Sequence, residues 1–282
     1  MITVKDLSYR YPRSSEDVLK GLNFEIARGE IFGFLGPSGA GKSTTQKVLY
    51  KILNDFTGEI WIGGRGLSKW GSEYFENIGV GFELPNHYLK LTAKENLELF
   101  ASFYPRNKLI DLDEVFERFG LRDDADKRVE DFSKGMKMRL NFMRAIMHDP
   151  DILFLDEPTA GLDPINAQKI KRCITELRSA GKTIFVTTHD MTTADELCDR
   201  VAFIADGEIR LVGEPRVLKN EYGRHAVRVE LRDGRSAEFP VDGLGANPTF
   251  LEFISAGEVL RINTQEATLE EVFIKVTGTA LT

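Results

Sequence analysis

The sequence predicts an α/β fold: a mainly parallel sheet, an antiparallel sheet at its side, a helical subdomain, and a small C-terminal α+β domain. Three observations predict it. From residue 30 to residue 212 short apolar runs alternate with helical stretches, the pattern of a parallel sheet covered on both faces. The earliest strand-like runs, 2–8 and 18–26, have no helix between them and suit an antiparallel side sheet. Beyond Glu214 the pattern changes to a hairpin and short helices, so the expected domains are 1–212, with the helical subdomain at about 84–150, and 213–282.

Residues 30–35 form an apolar run ending in a Gly-rich turn, and 42–53 read as the helix that follows. Residues 58–64 read as a strand with turns at both ends. Thr92 with Glu95 is a capping box for a helix over 92–104. A second helix covers 111–119 and stops at Gly120. Met136, Leu140, Met143 and Met147 have helical spacing, and Pro150 ends that helix after 148. Strands at 152–155, 183–187, 200–205 and 208–212 enclose helices at 164–180 and 192–198. In the last stretch, Asp233-Gly234 sits between two alternating runs, a strong hairpin signal. Helices near 215–221, 248–255 and 268–276 and a strand at 258–262 complete the pattern.

The chain has 282 residues, 42% of them hydrophobic, and a net charge of -7. An acidic balance argues against nucleic-acid binding, which needs a basic face. Cys173 and Cys198 do not make a disulfide framework, and reduced core cysteines fit a cytosolic location. The N-terminus lacks the charged and apolar regions of a signal peptide. No apolar run approaches the ~18–20 residues of a membrane span. Any membrane part is therefore expected on another chain.

Three motifs carry chemistry. Gly36-Pro37-Ser38-Gly39-Ala40-Gly41-Lys42-Ser43-Thr44 fits G-x-x-x-x-G-K-[ST], between an apolar strand and a helix. Its backbone N–H groups can cradle phosphates, Lys42 adds a point charge, and Ser43 offers a hydroxyl to Mg²⁺. Asp156 and Glu157 end an apolar strand, at the edge that opens toward the ligand crevice in a parallel sheet. Asp156 is the expected Mg²⁺ carboxylate, and Glu157 the group that orients or deprotonates water. Strand neighbours point opposite ways, so the two side chains have separate tasks. Alone, Phe132-Ser133-Lys134-Gly135-Met136 would be only a helix cap.

Upstream of Asp156 and in a P-loop chain, that last segment resembles the signature motif of ABC ATPases, LSGGQ. The resemblance covers residues 2 to 212 and implies an ATP- and Mg²⁺-dependent ATPase with the ABC ATPase fold. It implies that Tyr11, in the first strand region, stacks on adenine, with Tyr9 as the fallback. Ala160-Gly-Leu-Asp163-Pro164 is similar to the D-loop, which crosses a dimer interface, and His189 to the switch histidine at the γ-phosphate. Ser133 and Gly135 are then expected to approach the nucleotide of a second copy. The implied partners are that second copy, in an ATP-dependent homodimer, and a separate membrane permease. The implied location is peripheral, on the cytoplasmic face of the membrane. The tail 267–278 resembles the C-terminal helix of antibiotic and polysaccharide exporter ATPases. Two alternatives are an ABC protein acting on ribosomes or DNA and a monomeric P-loop switch or kinase. One P-loop and no sustained heptads disfavour the first, and the dimer motifs disfavour the second.

Two departures stand out. Lys134 and Met136 replace Gly and Gln of the signature, with Ser133 and Gly135 retained. Glu83 stands where the family's Q-loop carries glutamine, a register held by Leu91-Thr92 and Glu95-Asn96-Leu97. A carboxylate there is a candidate metal ligand beside Ser43 and Asp156. It attracts a hard cation and repels phosphate, each on the order of 3 kcal/mol at ~5 Å and an effective dielectric of ~20 before screening. Glu83→Gln should therefore bind metal-free ATP more tightly and need more Mg²⁺ for half-maximal hydrolysis. Superimposable Mg²⁺ titrations of the two proteins would place Glu83 away from the metal.

Overall fold

The computed structural model describes residues 1–223, 226–265 and 267–279. The chain forms two compact units, Met1–Val212 and Gly213–Leu281.

The first unit is built on a six-stranded sheet in the order β10-β9-β3-β8-β7-β6. Its strands are β3 (Ile31–Leu35), β6 (Ile78–Gly81), β7 (Ile152–Asp156), β8 (Thr183–Thr188), β9 (Arg200–Ala205) and β10 (Glu208–Gly213). The pairs β6/β7, β7/β8, β8/β3 and β3/β9 are all parallel. Every residue of β3 and β8 is buried, which is why these strands read as unbroken runs without alternation: both faces are covered. A second sheet, β2-β1-β4-β5, lies at the side, with β1 (Ile2–Tyr9), β2 (Leu19–Ile26), β4 (Phe56–Ile62) and the two-residue β5 (Arg65–Gly66). Its pairings are all antiparallel, and β1 and β2 follow each other with no helix between them.

Phe24 of β2 joins the two sheets. Its ring lies 5.8 Å from Phe32, 5.5 Å from Phe34 and 6.1 Å from Phe185. Phe185 also meets Phe154, 6.1 Å away. This aromatic cluster forms the centre of the core beneath the strand ends that carry the chemistry.

The helices of this unit are α1 (Lys42–Leu49), α2 (Ala93–Ala101), α3 (Leu112–Arg118), α4 (Lys134–Ile146), α5 (Pro164–Ser179) and α6 (Met191–Leu197). Thr92 and Glu95 form both bonds of the expected capping box. Several boundaries differ from the sequence reading: α2 ends at Ala101, not 104, β4 runs over 56–62, not 58–64, and two further shifts have a plain local cause. Helix α1 stops at Leu49, not at residue 53: Lys51 turns left-handed at φ 61°, and the N–H groups of Ile52 and Leu53 both reach back to the Lys47 carbonyl. Helix α4 starts at Lys134, not at 136, because Ser133 occupies the cap position and accepts from the Met136 N–H.

The second unit has a three-stranded antiparallel sheet, β12-β11-β13, of β11 (Ala226–Leu231), β12 (Ser236–Pro240) and β13 (Val259–Gln265). Helix α8 (Pro248–Ser255) supplies Phe250 to a small core with Val227, Val229, Leu231 and Phe239. Helices α7 (Pro215–Tyr222) and α9 (Leu269–Thr277) complete it. Strand β13 extends three residues past the expected 262 because it stays paired with β11 as far as Ala226.

Phe185→Ala should cost about 3–5 kcal/mol, the range for deleting a buried ring from a core that cannot collapse around the cavity. Urea unfolding of both proteins tests this; a loss under 1 kcal/mol would mean that the cluster does not hold the sheets together.

Candidate functional site

The phosphate-loop motif joins the end of β3 to the start of α1. Two of its glycines are required by geometry. A Cβ at Gly36 would run into the Ile204 carbonyl, and Gly41, the residue before α1, sits at φ 110° with Leu19 where a side chain would go. The Lys42 ammonium is buried and donates to the Gly36 carbonyl at 2.6 Å and to the Pro37 carbonyl at 3.0 Å. Burial pulls its pKa down, while Glu157, Asp156 and Glu83 pull it up. A cation held this way by two carbonyls can transfer those donors to an arriving phosphate.

Around Lys42 lies a cavity of about 270 Å³, lined by Ser38, Gly39, Gly41, Lys42, Ser43, Thr44, Glu83, Asp156, Glu157 and His189. Ser43 Oγ donates to Asp156 Oδ1 at 3.2 Å. Two hard oxygen donors side by side, in a cavity that the exposed Glu83 also lines, have the chemistry of a Mg²⁺ site. Among the described residues no group of three or more His, Cys, Asp or Glu is arranged around a metal position.

Glu157 is held from three sides. Its N–H donates to the Thr187 carbonyl at 3.0 Å, its Oε2 accepts from Thr188 Oγ1 at 2.9 Å, and its Oε1 lies 2.7 Å from His189 Nδ1. Its backbone is left-handed, φ 47°, a conformation that costs a non-glycine residue about 1–3 kcal/mol and that these bonds maintain. The side chain is buried, whereas the His189 ring is exposed along the cavity rim. Asp156 faces the other way and accepts from Thr187 Oγ1.

Thr187 and Thr188 are the residues that sequence reading passed over. Strands β7 and β8 place Asp156 opposite Thr187, so the alternation that separates Asp156 from Glu157 also hands each carboxylate its own threonine. The available signal was two threonines before a histidine at a buried strand end.

Tyr11 lies in the turn after β1, not in a strand, and its hydroxyl is 3.1 Å from Thr44 Oγ1. Tyr9 is buried in the core, which removes it as an open stacking face. Pro37 and Ala40 belong to the loop without lining the cavity. Ser133, Gly135 and Asp163 do not line it either. They form a separate group: Asp163 caps α5 through the Asn166 N–H at 3.0 Å, and the Asn166 amide lies over Gly135. The Lys134 ammonium fills the space that a side chain at Gly161 would need. Of the other histidines, His87 is half-buried and bonds the Lys137 carbonyl at 3.0 Å, and desolvation pushes its pKa down to about 4. His148 stacks on Tyr104, and His225 lies outside the described residues.

A family profile described as "ABC transporter" matches residues 19–160, and one described as "Fluoroquinolone efflux ABC transporter C-terminal domain" matches residues 225–266. The chain is 51% identical to a fluoroquinolones export ATP-binding protein of Mycobacterium tuberculosis, over 100% of this chain and 95% of that one. It is 34% identical to the bacitracin transport ATP-binding protein BcrA of Bacillus licheniformis, over 99% and 97%. Among solved structures, a dimeric ATP-binding cassette in a post-hydrolysis state with ADP and Pi aligns with a TM-score of 0.69 at 28% identity, over 76% of this chain and 98% of that chain.

Thr188→Val should keep nucleotide affinity and lower turnover about 10- to 100-fold, since a hydrogen bond to a charged group is worth about 1.5–3 kcal/mol. Steady-state ATPase and nucleotide titrations separate the two effects. Unchanged turnover would mean that His189 alone positions Glu157.

Proposed function

Because the chain belongs to the ABC transporter family, as an ATP-binding subunit, we propose that two copies close around two ATP molecules and drive export of a fluoroquinolone-like antibiotic through a separate membrane permease. The chain is an ATP-hydrolysing subunit that powers export. The cargo is inferred from the relative that shares 51% identity over the whole chain, a fluoroquinolones export ATP-binding protein. The observation that carries the catalytic reading is the caged Glu157 beside Lys42.

The loop N–H groups and Lys42 bind the β- and γ-phosphates, with Lys42 exchanging its loop carbonyls for phosphate oxygens. Ser43 and Asp156, with Glu83 beside them, would hold Mg²⁺, which neutralises charge on the phosphates. Glu157 orients the attacking water and takes its proton. Thr188 keeps one carboxylate oxygen of Glu157 occupied, so the other is aimed by His189. With both ring nitrogens protonated, His189 would donate from Nδ1 to Glu157 and from Nε2 to the γ-phosphate. Tyr11 stacks on adenine, its ring fixed through Thr44. Ser133, Gly135 and Asp163, grouped away from this cavity, serve the nucleotide of the second copy.

No helix among the described residues is long and apolar enough to cross a membrane. A cleft of about 680 Å³ lies between β6 and the helical subdomain, lined by Phe75, Phe82, Leu84, Tyr88, Phe100 and Arg144 among others. Glu83 and Asp156 border both this cleft and the nucleotide cavity or its carboxylate wall. Occupancy of the two is thereby linked, and the cleft is the proposed seat of the permease.

Glu157→Gln should bind ATP without turning it over, so a dimer should accumulate; light scattering with ATP and Mg²⁺ that finds only monomer at tens of micromolar protein would sink the sandwich. Alanine at the exposed Tyr88, Leu89 and Phe103 should abolish fluoroquinolone efflux from cells carrying the permease, with the ATPase of the isolated subunit near normal. Equal loss of both activities would make these side chains structural only.

A further inference from the structure

The three-stranded sheet of the second unit has two edges of opposite character. The β12 edge is guarded in the usual ways: it is short, carries Glu238, and ends in Pro240, which has no N–H to offer. The β13 edge is unguarded. Its sequence, Val-Leu-Arg-Ile-Asn-Thr-Gln, has no proline and has Arg261 as its one charge. Among the described residues no strand pairs with its outer side.

Its apolar face is also uncovered. Register places Ile262 opposite Val229 and Val259 opposite Leu231, so both stand on the face that holds the small core. Val229 and Leu231 are fully buried, whereas Ile262 is 51% exposed. Leu260, the extra residue of a bulge between the Arg261 and Val259 pairings, is 61% exposed. The core face therefore continues past the cover that α8 supplies and ends at an open row of backbone donors and acceptors.

We propose that β13 pairs antiparallel with β13 of a second copy, about a two-fold axis through Ile262. In that register Ile262 meets its own counterpart, Arg261 faces Asn263, and Leu260 faces Thr264. No like charges oppose each other, and the apolar face of each strand continues into the other. The strand is thus complementary to itself, which selects a second copy over a foreign partner. The inference rests on the dimeric reading above for the nearness of that copy. So short a pairing falls well under the ~1,000 Å² of a stable interface, so it acts as a tether that raises the effective concentration of the ATP sandwich.

The test uses the full chain carrying Glu157→Gln, in which Cys173 and Cys198 are buried and do not compete with an engineered thiol. With ATP and mild oxidation, Ile262→Cys should give a disulfide-linked pair, and Glu238→Cys on the guarded edge none. A mixture of Leu260→Cys and Thr264→Cys subunits should cross-link. Ile262→Lys, at an exposed position that tolerates the change, should raise the ATP-dependent dimer dissociation constant about tenfold or more. A dimer seen by scattering that fails to cross-link at Ile262, or that cross-links equally at Glu238, overturns the pairing. If Ile262→Cys cross-links at high protein concentration while ATP yields no sandwich, the pairing stands and the nucleotide-dimer reading falls. Absence of both overturns both.

Discussion

The site depends on the parallel register between β7 and β8. With Asp156 opposite Thr187, the next residues along the two strand ends, Glu157 and Thr188, also come together. A slip of one residue would turn every side chain of β7 to the other face of the sheet and exchange the two carboxylates. The buried faces of both strands forbid that slip, because Leu153, Phe154, Phe185 and Val186 have no other place to go. Packing of the core therefore sets which carboxylate pairs with Ser43 and Thr187 and which with Thr188 and His189.

Electrostatics complete what register begins. Lys42 is a buried cation, a state that burial disfavours, and three carboxylates around the cavity oppose that cost. Its two loop carbonyls satisfy the ammonium without neutralising it. The cavity is thus prepared for an anion that brings its own cation, as a nucleotide with Mg²⁺ does. Glu157 adds a second kind of preparation. Its left-handed backbone is retained by bonds to Thr187, Thr188 and His189, so this carboxylate has little freedom left.

The second unit follows a different rule. The apolar cluster on its sheet is small, five buried residues in all counting Val229 and Phe250, and the α8 side of that sheet leaves Ile262 half exposed. The uncovered part falls on β13, where apolar side chains and an open edge coincide. In the first unit such an edge is avoided on β5 by its length of two residues.

What the residues determined by themselves is what depends on near neighbours. The phosphate loop was legible because its glycines, lysine and serine act within one strand–turn–helix. The caps at Thr92 and Ser133 were legible because a side chain bonds an N–H three positions on. The alternation of apolar runs and helices was enough for the parallel sheet, since burial on both faces leaves a local mark. Tertiary structure decided the rest. That Thr187 and Thr188 serve Asp156 and Glu157 is a pairing across 31 positions, set by strand register. The end of α1 was decided by Lys51 turning left-handed where the apolar spacing ran on, and the length of β13 by how far β11 could pair with it. Ser133 and Asp163 are read as functional by motif, yet within one chain they stand apart from the cavity. Hydrogen bonds to nearby residues are written in the order of the chain, whereas register and exposure depend on which distant segment arrives alongside.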